Sequence, residues 1–199
     1  VSGPRPLIVG PLIVGIGGTT RPNSSGEKAV RAVLARAAAQ GAETVMFGGA
    51  DLAVLPHFAP ENPERTPEQL ALIDAVRRAD GLVIGTPGYH GGVSGLVKNA
   101  IDLLEDLRED ARPYFEGRAV ACIVTSAGWQ AGGVTLQALR GIVHAMRGWP
   151  TPLGVMINTV AQTPFGPDGA CIDPAIGAQF DALGRQVLAL YQKTAKAAA

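Results

Sequence analysis

Short, continuous apolar runs alternate along the chain with segments whose apolar positions fall three and four apart. The runs occupy residues 12–16, 44–47, 81–86, 119–125 and 151–157. Helical spacing occupies 27–40, where Val30, Val33, Leu34 and Ala37 share a face and Gly41 supplies a stop. It returns at 66–79, opened by Thr66 with Pro67 in the first turn, and at 95–107, 134–147 and 175–196. A run that is apolar at every position is the mark of a strand buried on both faces. The pattern therefore predicts a parallel sheet with helices on both faces. Right-handed crossovers leave two doubly wound strand orders. A five-stranded sheet with a phosphate-binding turn after its first strand favours the order 2-1-3-4-5, a three-layer α/β architecture. Ligands then sit outside the carboxyl ends of the strands, at the switch point between strands one and three.

Three glycine-rich loops follow strands one, three and four, so this order gathers them at one edge. The first runs from Gly15 through Gly17, Gly18, Thr19, Thr20, Arg21, Pro22 and Asn23 into a helix starting at Ser24 or Ser25. A helix start presents unpaired N–H groups and partial positive charge, which suit a phosphate. Thr19, Ser24 and Ser25 add hydroxyls, and Arg21 adds a planar fork of donors. The dinucleotide fingerprint fails, because its third glycine would fall at Thr20, and no Gly-Lys-Ser/Thr tripeptide follows. A hydroxyl-rich turn with one arginine is matched instead to a single terminal monophosphate, as in FMN. The second loop, residues 86–94, brings Tyr89 with Gly91 and Gly92, whose missing side chains let a flat ring approach the backbone. The third, residues 126–133, brings backbone donors and Trp129. Backbone groups of this kind can bind a ring edge and stabilise negative charge on it.

Composition narrows the partners. Seventeen basic residues balance seventeen acidic ones among 199, so no basic field for nucleic acid exists, and neutrality also counts against a small acidic electron carrier. Two cysteines, Cys122 in an apolar run and Cys171 in a late loop, supply no metal spacing and are expected as free thiols in a reducing cytoplasm. No run is long enough to span a membrane and no secretory pattern is present, which gives a cytoplasmic expectation. Pro-Leu-Ile-Val-Gly at residues 6–10 is repeated at 11–15. One copy feeds the first loop; the other is an arm or an added edge segment. The organisation expected is an N-terminal arm, 1–10, and a single domain, 11–197. Residues 48–67 form a long connection with four prolines and His57, which reads as a surface histidine, and residues 163–174 form a second excursion.

These loops resemble those of the NADPH-dependent FMN reductases, flavoproteins of flavodoxin-like fold. Gly18-Thr19-Thr20-Arg21-Pro22-Asn23-Ser24 is similar to their Gly-Ser-x-Arg-x-x-Ser, with Thr for Ser. Thr86-Pro87-Gly88-Tyr89, continuing to Gly95-Leu96-Val97-Lys98, is similar to their second loop. The likeness covers about residues 12–157 and is loosest in the third loop. It implies that Thr19, Arg21, Ser24 and Ser25 hold the FMN phosphate. It further implies that Pro87, Gly88, Tyr89, His90 and Gly91 line the ribityl chain and ring, with Ser126, Gly128 and Gly133 near the ring edge. Many members carry Glu where Gly88 stands and Asn where His90 stands.

The activity implied is that of an NAD(P)H:flavin oxidoreductase, with hydride passing from nicotinamide C4 of NADPH or NADH to flavin N5. Free flavin, a quinone or another small acceptor is then reduced, or reduced flavin is supplied to a flavin-dependent monooxygenase. No catalytic side chain and no metal are required, because the flavin carries the chemistry. Lys98 and Asp102 read as an i,i+4 pair. A homodimer or homotetramer is implied as well. Two alternatives stand beside this reading: a flavodoxin-type FMN carrier without NAD(P)H activity, and a flavin-free interaction domain on the same fold. The long loops at 48–67 and 158–173 weigh against the carrier.

Overall fold

The structure is a computed structural model and describes residues 10–197. The proposed arm, apart from Gly10, lies outside the described residues. The second copy of the repeat forms the first strand, β1 (Leu12–Gly17). It runs through the first loop into α1 (Ser25–Ala38), then β2 (Glu43–Phe47). A five-residue helix, α2 (Gly49–Ala53), follows, then α3 (Pro67–Arg78) and β3 (Gly81–Tyr89). The chain continues through β4 (Gly92–Val93), α4 (Gly95–Asp102) with a 3-10 turn over Leu103–Leu107, and β5 (Ala119–Ser126). It ends with α5 (Trp129–Ala145), β6 (Trp149–Pro150), β7 (Val155–Asn158) and α6 (Pro174–Ala197).

The sheet order is β2-β1-β3-β5-β6, with β7 also on β5, and these pairings are parallel. Counting β6 and β7 as two pieces of one strand, this is the 2-1-3-4-5 order. Alternate residues along each strand face opposite sides, and each side has its own core. Val14, Ile16, Leu82, Ile84, Val120 and Cys122 pack with Leu72 and Val76 of α3, Ala100 and Ile101 of α4 and Leu139 of α5. Ile13, Val83, Ala121 and Ile123 pack with Val30, Val33 and Leu34 of α1 and Phe180 and Leu183 of α6. The two cysteines therefore sit on opposite sides of the sheet: Cys122 within the first core, Cys171 against the second.

The expected five-stranded parallel order is present, and the sheet counts seven strands for two local reasons. The tip of β3 folds back on β4 as an antiparallel pair, Gly88 opposite Val93, carrying His90 (φ 54°) and Gly91 (φ 77°) at the turn. The last strand is broken because Pro150 and Pro152 have no N–H to give the ladder. In the break, Thr151 N–H still donates to Val120 O (2.9 Å), but the Thr151 carbonyl accepts from Arg140 and Leu153 N–H donates to Gln186 Oε1. The long connection after β2 is also shorter than expected, since α2 forms within it, its start closed by Gly48 N–H donating to Asp51 Oδ2 (2.8 Å). What remains is clasped by Asn99 of α4, which accepts from Phe58 N–H and donates to Leu55 O and Pro56 O. One fully buried cation closes the end of α3: Arg118 donates to Arg77 O, Ala79 O and Tyr114 O, and burial pushes its pKa down to about 10.

Candidate cofactor site

The carboxyl ends of β1, β3, β5 and β7 open on one cavity of about 440 Å³, lined by Thr19, Arg21, Ser24, Ser25, Gly26, Pro87, Gly88, Tyr89, Thr125, Ser126, Ala127 and Thr159. That volume lies in the range of small-ligand pockets. All three loops contribute to it.

The first loop is shaped by short-range hydrogen bonds. Arg21 N–H donates to Thr19 Oγ1 (3.2 Å), Asn23 turns the chain at φ 56°, and Ser24 caps α1 by accepting from Glu27 N–H (3.3 Å). The N–H groups of Ser25 and Gly26 then point out of the helix end, as the first groups of any α-helix must. The Arg21 guanidinium is exposed and enters no ion pair among the described residues, where eleven other such contacts occur.

Behind the loop, Glu27 turns away from the cavity. Its Oε2 accepts from Gly49 N–H (3.0 Å) and its Oε1 from Arg31 (2.8 Å). The backbones of the loop and of α2 touch there: a Cβ on Gly49 would lie 1.9 Å from Thr19 O. The start of α2 is thus the wall against which the first loop is set.

The second loop is held by Thr86, whose Oγ1 accepts from Ser94 N–H (3.0 Å) across the hairpin. Gly88 lines the cavity with its Cα face, and a Cβ there would meet Thr135 Oγ1 at 2.8 Å and Ser126 Cβ at 3.3 Å. Thr135 is fully buried and its hydroxyl has no partner among the described residues. In the third loop Ser126 Oγ donates to Gly128 O (2.7 Å), and Thr159 N–H donates to Ser126 O (2.8 Å), tying the end of β7 to it.

Of the residues singled out in the sequence, Thr19, Arg21, Ser24, Ser25, Pro87, Gly88, Tyr89 and Ser126 line the cavity. His90, Gly91, Gly128 and Gly133 do not. His90 and Gly91 form the hairpin turn beyond it, with Gly91 against Val134; Gly128 is the N-cap of α5. Gly133 is inside that helix and exposed, because α5 begins at Trp129 rather than Val134. Ala127, within the third loop, lines the cavity too, and Gly26, Thr125 and Thr159 line it without having been singled out. Thr125 and Thr159 could have been found from the rule that every strand of such a sheet presents its carboxyl end to the ligand. A second hollow of about 380 Å³ between α4 and α5 includes Ile101, Ile142 and Met146, but its lysine, Lys98, is already bound to Asp102 at 2.6 Å.

Fold and cavity together define a doubly wound α/β protein with a cavity at its strand ends, bordered by the start of α1 and the three loops. The chain belongs to the NADPH-dependent FMN reductase family, whose model matches residues 11–162. It is 34% identical over 94 residues to an iron-sulfur flavoprotein of Archaeoglobus fulgidus, a match covering 47% of this chain and 46% of that one. It is 39% identical over 74 residues to an FMN-dependent NADPH-azoreductase of Staphylococcus aureus, covering 37% of this chain and 36% of that one. The matches thus span less than half of both relatives. The solved structure of an oxidoreductase from Corynebacterium diphtheriae has the same fold, with a TM-score of 0.69 and 21% identity over 92% of this chain and 97% of that one. Among the described residues no helix is long and apolar enough to cross a membrane.

Proposed function

We propose that this chain is an NAD(P)H-dependent FMN reductase whose flavin occupies the cavity at the ends of β1, β3, β5 and β7. The observation that carries the reading is the meeting of Arg21, Tyr89 and Ser126, from three separate loops, around one hollow. The donor set fits FMN. An unpaired guanidinium, three hydroxyls and an open helix end stand on one side of the slot, and side-chain-free backbone at Gly88 stands on the other.

Thr19, Arg21, Ser24, Ser25 and the Gly26 N–H take the phosphate, whose negative charge the α1 helix start favours. Pro87, Gly88 and Tyr89 would line the ribityl chain and ring, and Thr125, Ser126 and Ala127 would offer polar groups to the ring edge. His90, Gly91, Gly128 and Gly133 are left with the task of shaping these loops. When bound, FMN supplies the redox chemistry, taking a hydride from NAD(P)H and passing two electrons to a second acceptor. The protein's part is to hold the ring still, leave one face open for each substrate in turn and keep charge at the ring edge stabilised.

The acceptor is free flavin, a quinone or another small molecule, or reduced FMN leaves for a flavin-dependent monooxygenase. The reading extends to a cytoplasmic homodimer or homotetramer. Purified protein mixed with FMN and NADPH provides the test. Bound yellow flavin together with loss of NADPH absorbance supports the reductase. Bound flavin without NADPH or NADH oxidation would leave the carrier, and no flavin binding would leave neither.

A further inference from the structure

Thr135 lies fully buried in the second turn of α5, and its Oγ1 has no hydrogen-bond partner among the described residues. The hydroxyls of Ser24, Thr86, Ser94, Ser126 and Thr151, which are buried too, all have partners. A helical threonine commonly turns its hydroxyl back to the carbonyl three or four residues earlier. Thr135 does not. An unsatisfied hydroxyl at such a position costs stability that a valine of the same shape would not.

What Thr135 Oγ1 faces is the wall of the cavity. A Cβ at Gly88 would lie 2.8 Å from it, so the hydroxyl rests against the backbone of a residue that lines the cavity. Ser126, a second lining residue, comes to the same point, with its Cβ 3.3 Å away. Its own hydroxyl is committed to Gly128 O at 2.7 Å. The wall is able to adjust here. Gly88 has no side chain to obstruct rotation of its peptide groups. It stands two residues before the turn at His90 (φ 54°), and its partner in the hairpin is Val93 of the two-residue strand β4.

We propose that Thr135 is a positioning residue of the cofactor site, its hydroxyl pairing with the Gly88 peptide in the flavin-bound protein. The inference rests on the flavin reading above and adds to it a residue outside the cavity lining. A threonine hydroxyl both donates and accepts, so the N–H and the C=O of Gly88 are each suitable partners. The penalty of burying the hydroxyl falls on the flavin-free protein and is relieved on binding, so the difference between the two states adds to flavin affinity. Because the contact acts at the Gly88 wall and not at the phosphate, it serves a flavin with or without phosphate equally.

Thr135→Val removes the hydroxyl and keeps the shape. In the flavin-free protein it is expected to raise the urea midpoint by about 0.5 M. In fluorescence titrations it is expected to weaken FMN and riboflavin alike, each by about three- to tenfold. Misfolding or a looser core would not move stability and affinity in opposite directions. Thr135→Ser keeps the hydroxyl and loses a methyl group. It is expected to lower the midpoint yet hold both flavins within about twofold of the parent. A valine variant that binds both flavins as the parent does overturns the inference. So does one whose flavin-free midpoint falls, since the hydroxyl then has a partner without flavin. A serine variant that loses affinity as the valine variant does also overturns it, because methyl packing and not the hydroxyl would be at work. A parent protein that binds neither FMN nor riboflavin removes the flavin reading and this inference together.

Discussion

At the scale of single residues, the first loop depends on two side chains that work from opposite sides. Arg21 lines the cavity, and in the proposed reading it is the group that would distinguish FMN from a flavin without phosphate. A hydrogen bond to a charged partner contributes about 1.5–3 kcal/mol. Arg21→Ala is therefore expected to weaken FMN by about one to two decades and to leave riboflavin affinity unchanged, as read by fluorescence titration of both. Glu27 never faces the ligand, yet it fixes the wall behind Thr19. Glu27→Ala should lower the urea midpoint by about 1–2 kcal/mol of stability and narrow the gap between FMN and riboflavin affinity. Glu27→Gln, which keeps an acceptor for Gly49 N–H, should retain most of that gap. If both variants instead bound FMN more tightly, removal of a negative charge near the phosphate would be the larger effect. Arg21, Thr19 and Ser24 were legible in the sequence because their chemistry is local: hydroxyls and one arginine packed into a glycine turn before a helix. Glu27 was not, because its partner Gly49 is 22 positions away and offers only backbone.

At the scale of elements, the helical spacing of α1, α3 and α6 was readable because each presents one apolar stripe to the sheet. The start of α5 was misread. Gly132 and Gly133 resemble a turn in sequence, but they lie in the first turns of the helix. Gly132 is small for a reason of contact: a Cβ there would sit 2.6 Å from Met156 Cγ and 2.7 Å from Ser126 Oγ. The cost of glycine in a helix, about 1 kcal/mol, is accepted where the helix must approach the third loop closely. The strand β5 carries a pH-dependent consequence. Cys122 lies fully buried at its middle, and burial raises its thiol pKa from 9.0 to about 12. Between those values the unfolded chain releases this proton and the folded chain keeps it, so stability falls as pH rises above 9. The slope from this group approaches about 1.4 kcal/mol per pH unit. Urea midpoints between about pH 8 and about pH 10.5 should therefore drop by as much as about 2 kcal/mol more in the parent than in Cys122→Ala. Parallel curves for the two proteins would show that Cys122 does not contribute.

At the scale of the whole molecule, strand order was legible because uninterrupted apolar runs admit few arrangements once crossovers are right-handed. Convergence of the three loops followed from that order alone. The hairpin at His90 and the division of the last strand were not legible, since both depend on which backbone groups find partners across the sheet. That division has a consequence beyond topology. The last strand borders the sheet, and an unpaired border strand is where one β-protein zips onto another. Here the row of donors is interrupted by Pro150 and Pro152, and Thr151 O and Leu153 N–H are already satisfied by Arg140 and Gln186. Pro152→Thr would restore a donor at this margin and is expected to increase light scattering on prolonged warming, with little change in urea midpoint. The broken strand thus serves as a guard against fibril growth from that flank.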